Sequence, residues 1–214
     1  IVASMATSLG EPATGSPSRA PERFWNLPNS ITMLRMIAVP VLLVFPWFHE
    51  SDSASRVVGW VFIVAAVTDI LDGWLARRGQ QVTRIGKLLD PLADKLLVAT
   101  ALVVLNSIDR IPPWGVPLSV VIIGRELAVT GLRGIASAGG QVLAADWRGK
   151  AKALCQNVAI AALLFPDPTI GLPAHALGMG FLGLATVITL WSGYVYFAAY
   201  FAPEAGGDSG VPES

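Results

Sequence analysis

Four aspartates occupy a short stretch in which most of the other residues are apolar. Asp69 and Asp72 are three positions apart, and Asp90 and Asp94 are four positions apart. Either spacing places two carboxylates on one face of an α-helix. Because four converging carboxylates repel one another unless they are protonated or bind cations, the pattern predicts a metal site. Two Mg²⁺ ions would balance the four charges, and Mg²⁺ prefers oxygen ligands and commonly bridges phosphates.

A pair of such ions stabilises both the attacking and the leaving oxygen of a phosphoryl displacement. Neither His nor Cys accompanies the aspartates, which argues against zinc. Basic residues on the same predicted side suit an anionic phosphate substrate. They are Arg77, Arg84, Lys87, Arg125, Arg133, Lys150 and Lys152. The competing interpretations are ordinary basic cytoplasmic loops and, for Arg125, an internal ion pair with Glu126.

The composition indicates which elements must hold these residues. The 214-residue chain is 53% hydrophobic and 14% charged, with a mean hydropathy of +0.59. Ordinary soluble domains carry about 25% charged residues, so a soluble globule, a disordered chain and a basic nucleic-acid-binding domain are excluded. The 15 basic and 15 acidic residues balance, and the single Cys155 excludes a disulfide framework. The remaining class is an integral membrane protein.

Six apolar stretches approach or exceed the roughly 20 helical residues that cross a hydrocarbon core of about 30 Å. They lie at 30–48, 55–77, 88–107, 115–137, 150–166 and 174–202. Because backbone polar groups in lipid must bond within their own segment, we predict an all-α membrane domain over residues 22–202. Residues 1–21 and 203–214 are predicted as disordered tails, and we expect no secretory signal in the first of them.

Lysine and arginine in the loops predict the orientation of these spans. Nine of them flank one side: Arg19, Arg23, Arg77, Arg78, Arg84, Lys87, Arg148, Lys150 and Lys152. The other side carries only Arg56 and Arg110. This asymmetry places both termini and the aspartates on the cytoplasmic side of the cell membrane.

The aspartate segment resembles the signature of the CDP-alcohol phosphotransferase family, D-x2-D-G-x2-A-R-x8-G-x3-D-x3-D. Residues 69–77 with Gly86, Asp90 and Asp94 meet every fixed position. Flanking segments resemble the branch of this family that makes phosphatidylglycerophosphate. They are residues 26–35, Gly124-Arg125-Glu126 with Leu132-Arg133, and residues 147–152 followed by Gln156. The resemblance covers roughly residues 24–200.

The resemblance implies a role for each matching residue. Asp69, Asp72, Asp90 and Asp94 would hold two Mg²⁺ ions, with Mn²⁺ as the alternative, and Asp94 would also be the general base. The residues expected to contact the CDP-lipid are Asn29, Thr32, Arg35, Gly73, Ala76, Arg77 and Thr83. The candidates for the phosphate of the acceptor are Arg125, Arg133, Lys150 and Lys152. The implied fold is a six-helix membrane domain that usually forms homodimers.

The function implied by the resemblance is transfer of the phosphatidyl group from CDP-diacylglycerol to sn-glycerol 3-phosphate, with release of CMP. No nucleic-acid partner is expected. Other acceptors stay open within the same chemistry: inositol phosphate, serine or phosphatidylglycerol. A cation- or proton-coupled transporter is the alternative from another class, because membrane carboxylates also mark ion pathways. A structural membrane protein without catalysis would explain neither the aspartate spacing nor the small residues beside it.

Overall fold

The computed structural model describes residues 27–76, 84–139 and 147–201. Within these ranges it describes the backbone alone at residues 27–32, 69–76, 84–91, Ala138 and Arg148. The predicted tails, residues 1–21 and 203–214, lie outside the described residues.

The described residues form six α-helices joined by short loops. They are α1 (Leu27–Val44), α2 (Asp52–Ala76), α3 (Arg84–Ser107), α4 (Val116–Ala138), α5 (Trp147–Leu164) and α6 (Ala174–Phe201). Single 3₁₀ turns at Phe45–Trp47 and Pro113–Gly115 follow α1 and precede α4. The predicted all-helical class is confirmed. Each helix begins and ends within a few residues of the limits of one predicted apolar stretch.

Two segments of this part of the chain are long and apolar enough to cross a membrane: Pro113–Ser137, which includes α4, and Ala174–Phe201, which is α6. A shorter apolar segment, Met33–Trp47, covers most of α1. These lengths and compositions agree with a membrane location. They bear on two of the six predicted spans, and a total of six spans stays a prediction.

The helices pack around one apolar core. The most extensive contact joins α5 and α6, α1 packs against both α2 and α3, and α4 packs against α6. The largest apolar side chains in the core include Leu42, Phe45, Phe62, Leu102, Leu105, Ile160, Leu163 and Leu182. Because lipid tails are as apolar as leucine, close packing rather than removal from water stabilises such contacts in a bilayer.

Arg110 joins three loops at the end of the molecule where α3 stops. Its Nη1 donates hydrogen bonds to the carbonyl oxygens of residues 163–165 at 2.7–3.1 Å, at the C-terminus of α5. Its Nη2 donates to the His49 carbonyl at 3.3 Å and to Ser55 Oγ at 2.7 Å. Partial burial lowers the pKa of Arg110, and the negative charge of Asp52 opposes that shift. Arg110 therefore satisfies carbonyls that the end of α5 leaves unpaired.

Glycine permits the close approach of α5 and α6. A Cβ at Gly178 would lie 2.7 Å from Leu163 Cγ and 3.2 Å from the Ala159 carbonyl oxygen. On the same helix, a Cβ at Gly180 would meet nothing within 4 Å in the described part of the chain. Gly178 therefore lies in a close contact between helices, whereas Gly180 faces open space among the described residues, and the same substitution can be compared at both positions.

We expect Gly178→Ala to lower the thermal unfolding midpoint of the detergent-solubilised protein by several degrees. Overpacking destabilises by about 1–3 kcal/mol, and each kcal/mol shifts the midpoint by about 2–4 °C in a chain of this size. Gly180→Ala is the control and should leave the midpoint unchanged or slightly raised, because alanine favours helix. Equal midpoints for the two variants would contradict the packing role of Gly178.

Candidate functional site

Two uninterrupted helices carry the four aspartates. α2 runs through Asp69 and Asp72, and α3 runs through Asp90 and Asp94. Their helical backbones place the members of each pair about one turn apart on one face, as the spacing predicts. The side chains of Asp69, Asp72 and Asp90 lie outside the described set, in which no group of three His, Cys, Asp or Glu forms a metal site. Convergence of the four carboxylates therefore stays a prediction.

Of the four aspartates of the signature, Asp94 is the one whose surroundings the structure describes. Its carboxylate is half-buried and interacts electrostatically with the positive charges of Lys95, Arg35 and Lys152 and with the negative charge of Glu126. These residues come from α1, α3, α4 and α5. Charged groups from four helices therefore meet around the predicted general base.

Arg35 on α1 is the largest of the fully buried side chains, with 1% of its surface exposed. The sequence predicts a CDP-lipid contact at this position. A buried guanidinium needs partners of opposite charge, and Asp94 on α3 is one carboxylate within its electrostatic reach. The structure therefore brings one predicted lipid contact close to the predicted general base.

Glu126 on α4 binds cations from two neighbouring helices. Lys95 Nζ donates to Glu126 Oε2 at 2.5 Å, and Lys152 Nζ on α5 donates to Glu126 Oε1. Arg125 Nη1 lies 3.4 Å from the same Oε1 atom. The side chains of Glu126 and Lys152 are only 11% and 7% exposed. We call these four residues the Glu126 network.

Residues of α6 also contact the Arg125 side chain. Arg125 Nη2 donates a hydrogen bond to Ser192 Oγ at 2.6 Å, and the guanidinium carbon lies 5.8 Å from the centre of the Tyr196 ring. A Cβ at Gly193 would lie 3.2 Å from Arg125 Cγ, so the arginine stem packs closely on α6. The internal ion pair considered from the sequence for Arg125 and Glu126 is present, together with a second set of partners on α6.

The four predicted acceptor-binding residues fall into two groups. Arg125 and Lys152 belong to the Glu126 network, whereas the side chains of Arg133 and Lys150 are exposed on the surface of the bundle. Arg133 follows Glu126 by seven residues, which places both on the same face of α4. Binding of the acceptor phosphate by the exposed pair therefore stays a prediction.

Several predicted contacts to the CDP-lipid are not tested by the geometry. Asn29 and Thr32 are part of α1, and Gly73 and Ala76 are part of α2, but the surroundings of these four residues are not described. Arg77 and Thr83 lie in the segment between α2 and α3, outside the described residues. Their roles therefore stay predictions.

The sequence interpretation left Lys95 unassigned, and it used Glu126 as a partner for Arg125 and as part of a flanking motif. It did not single out Ser192 or Tyr196 at all. One signal was present for Lys95: an ionisable residue in an apolar helix is rare and marks a functional site by default. For Ser192 and Tyr196 no such signal exists, because serine and tyrosine are ordinary residues in a membrane helix.

Two features therefore coincide: paired aspartates on α2 and α3, and a buried cationic network beside Asp94. The chain belongs to the CDP-alcohol phosphatidyltransferase family, whose sequence model matches residues 25–195. This match confirms the resemblance inferred from the aspartate signature.

Three relatives are each named CDP-diacylglycerol–glycerol-3-phosphate 3-phosphatidyltransferase. The protein from Bacillus subtilis (strain 168) is 40% identical over 185 residues, which cover 81% of this chain and 94% of the relative. The protein from Salmonella choleraesuis (strain SC-B67) is 38% identical, covering 82% of this chain and 94% of the relative. The protein from Sodalis glossinidius (strain morsitans) is 35% identical, covering 81% of this chain and 94% of the relative.

Proposed function

We propose that this chain is the enzyme that transfers the phosphatidyl group of CDP-diacylglycerol to sn-glycerol 3-phosphate, a step of phospholipid biosynthesis. The observation that carries this proposal is similarity over about four-fifths of the chain to relatives named for that reaction. The cationic network beside Asp94 adds a physical reason, because both substrates are phosphate anions.

The chemistry at Asp94 is removal of a proton from the acceptor. The 1-hydroxyl oxygen of glycerol 3-phosphate attacks the phosphorus that bears diacylglycerol, the bond from that phosphorus to the CMP oxygen breaks, and CMP leaves. Asp94 takes the hydroxyl proton, a contribution of about 10²–10⁴-fold in rate. The products are phosphatidylglycerophosphate and CMP, so atoms and charge balance without a further reactant.

The donor set suits Mg²⁺, because the signature offers carboxylate oxygens and neither nitrogen nor sulfur. Asp69, Asp72, Asp90 and Asp94 would hold two ions, with Mn²⁺ as the alternative metal. When bound, the metals would polarise the phosphoryl oxygens and neutralise charge on the leaving phosphate. The helical backbone of α2 and α3 supports this assignment, since it places each pair of aspartates on one face.

Two sets of residues would bind the substrates. The nucleotide part of the CDP-lipid would contact Asn29, Thr32, Arg35, Gly73, Ala76, Arg77 and Thr83. The phosphate of the acceptor would contact Arg125, Arg133, Lys150 and Lys152. The burial of Arg35 and Lys152 near Asp94 supports both assignments, because it places one member of each set within electrostatic reach of the reacting centre.

The membrane arrangement proposed is six spanning helices in the cell inner membrane, with the active site and both termini in the cytoplasm. Helix lengths from 18 residues in α1 to 28 in α6 support this arrangement. At 1.5 Å per residue they correspond to about 27–42 Å, against a hydrocarbon core of about 30 Å. Exposed apolar side chains on the outside of the bundle, such as Val187, Leu190 and Trp191 on α6, suit contact with lipid or with a second copy in a homodimer.

An acceptor panel tests this function. We expect the purified full chain, in detergent with Mg²⁺ and CDP-diacylglycerol, to release CMP at least about tenfold faster with sn-glycerol 3-phosphate than with inositol phosphate, serine or phosphatidylglycerol. Faster release with one of the other alcohols would reassign the acceptor. Release with none, together with cation uptake into liposomes that lack CDP-lipid, would favour the transporter instead.

A further inference from the structure

The Glu126 network contains more cations than its single carboxylate can neutralise. Lys95, Arg125 and Lys152 all lie within ion-pair distance of Glu126. Asp94 interacts electrostatically with Lys95, Lys152 and Arg35, so the charged side chains described here are four cations and two carboxylates, a surplus of two positive charges. A phosphate monoester carries about −1.5 to −2 charges at neutral pH. The surplus in the network therefore matches the phosphate of one glycerol 3-phosphate molecule.

The geometry shows how the three cations are held near one another. Each oxygen of Glu126 takes a different ammonium group, Oε2 from Lys95 on α3 and Oε1 from Lys152 on α5. Lysine is a flexible chain with a point charge at its end, and two such charges repel each other. Glu126 is the carboxylate that contacts both ammonium groups in the described part of the chain, so it sets their separation and direction.

We infer that Glu126 is a positioning residue that fixes the Lys95 and Lys152 ammonium groups for the phosphate of the acceptor. The inference rests on the proposed function and adds Lys95 to the acceptor-binding residues. Arg125 is positioned separately, because Ser192 and Tyr196 hold its guanidinium from α6. The predicted contacts of the CDP-lipid nucleotide come from other elements, α1, α2 and the segment that follows α2, so we expect Glu126 to affect the KM for the acceptor more than the KM for the CDP-lipid.

Replacement of Glu126 separates positioning from simple charge balance, because the two roles predict opposite results. Glu126→Gln removes one negative charge, which by charge alone would tighten the binding of an anion. If the carboxylate positions the lysines, the same change releases them to repel each other and weakens binding. The direction of the change in KM for glycerol 3-phosphate therefore identifies the role.

We expect Glu126→Gln to raise the KM for sn-glycerol 3-phosphate about tenfold, the equivalent of one charge-assisted contact, and to change the KM for CDP-diacylglycerol less than about twofold. Glu126→Asp keeps the charge on a shorter stem and should restore part of the affinity. Ser119→Ala, a change at another buried polar position on α4, is the control and should alter neither constant. CMP release by the full chain in detergent with Mg²⁺ gives all of these values.

Four results would overturn the positioning role: a lower KM for glycerol 3-phosphate, an unchanged KM, equal increases for both substrates, or no recovery in Glu126→Asp. Lys95→Gln is the second variant if Glu126→Gln does not fold, because it leaves the pair of Glu126 with Lys152 intact. It should raise the KM for glycerol 3-phosphate selectively, and an unchanged KM would remove Lys95 from the site. Wild-type protein that releases no CMP with glycerol 3-phosphate would overturn the proposed function itself, whereas an active wild type with an unaffected Glu126→Gln variant would overturn this inference alone.

Discussion

Asp94→Asn will lower the rate of CMP release by about 10²–10⁴-fold, the usual contribution of a general base. Asparagine has nearly the same size and shape as aspartate but cannot accept the proton of the attacking hydroxyl. Asp94 is half-buried among charges from α1, α3, α4 and α5, so loss of its negative charge also removes an attraction for nearby cations. Because Asp94 is both the proposed base and a proposed Mg²⁺ ligand, we expect the loss to fall on turnover, with the helical fold retained.

The measurement is CMP release at saturating concentrations of both substrates, with helix content followed by circular dichroism. Asp109→Asn is the matched control, because Asp109 is exposed in the loop after α3 and has a φ of 55°. Asparagine tolerates that left-handed backbone conformation as well as aspartate does. Wild-type turnover in Asp94→Asn would refute the role of Asp94 as base.

Arg110→Lys will give the largest loss of stability among the conservative changes considered. The guanidinium donates to five acceptors, which lie at the C-terminus of α5, in the loop after α1 and in the first turn of α2, and a lysine ammonium cannot serve five acceptors in that arrangement. If the change removes about 3 kcal/mol of hydrogen bonding to a charged group, the unfolding midpoint falls by roughly 6–12 °C. Thermal unfolding in detergent measures this midpoint. CMP release at low temperature shows whether the active site is intact in the folded variant.

The matched control is Arg56→Lys, which makes the same exchange at an exposed position of α2. Arg56 forms a long ion pair, 3.7 Å to Asp52, and such surface pairs contribute about 0–1 kcal/mol. We expect its midpoint to stay within about 2 °C of the wild-type value. Equal midpoints for Arg110→Lys and Arg56→Lys would show that Arg110 does not hold the loops together.

The order and limits of the helices could be predicted from the sequence because apolar runs set them. The largest difference at a helix start is in α3, which begins at Arg84 where the apolar run suggested residue 88. The residues Arg84–Lys87 include two charges, so hydropathy does not mark them as helix although the backbone continues through them. Apolar runs in the sequence therefore locate the apolar part of a helix better than its polar first turn.

The candidate site was predictable to a different degree. Spacing alone placed Asp69 with Asp72 and Asp90 with Asp94, because partners on one helix depend only on the helical repeat. The pairing of Glu126 with Lys95 and Lys152 joins α3, α4 and α5, and it depends on how each helix is rotated about its axis. Rotation is set by packing over the whole bundle, so a local pattern in the sequence does not contain it.

The loops that Arg110 joins also limit how the bundle can change shape. Arg110 fastens the end of α5 to the loops after α1 and α3, whereas Asp94 lies 13 residues before the last residue of α3, about 20 Å of helix away. Helices that are held together at one end of a bundle separate more easily at the other end. The Arg110 contacts therefore favour helix movement at the end of the bundle that holds Asp94 over movement at the end that holds Arg110.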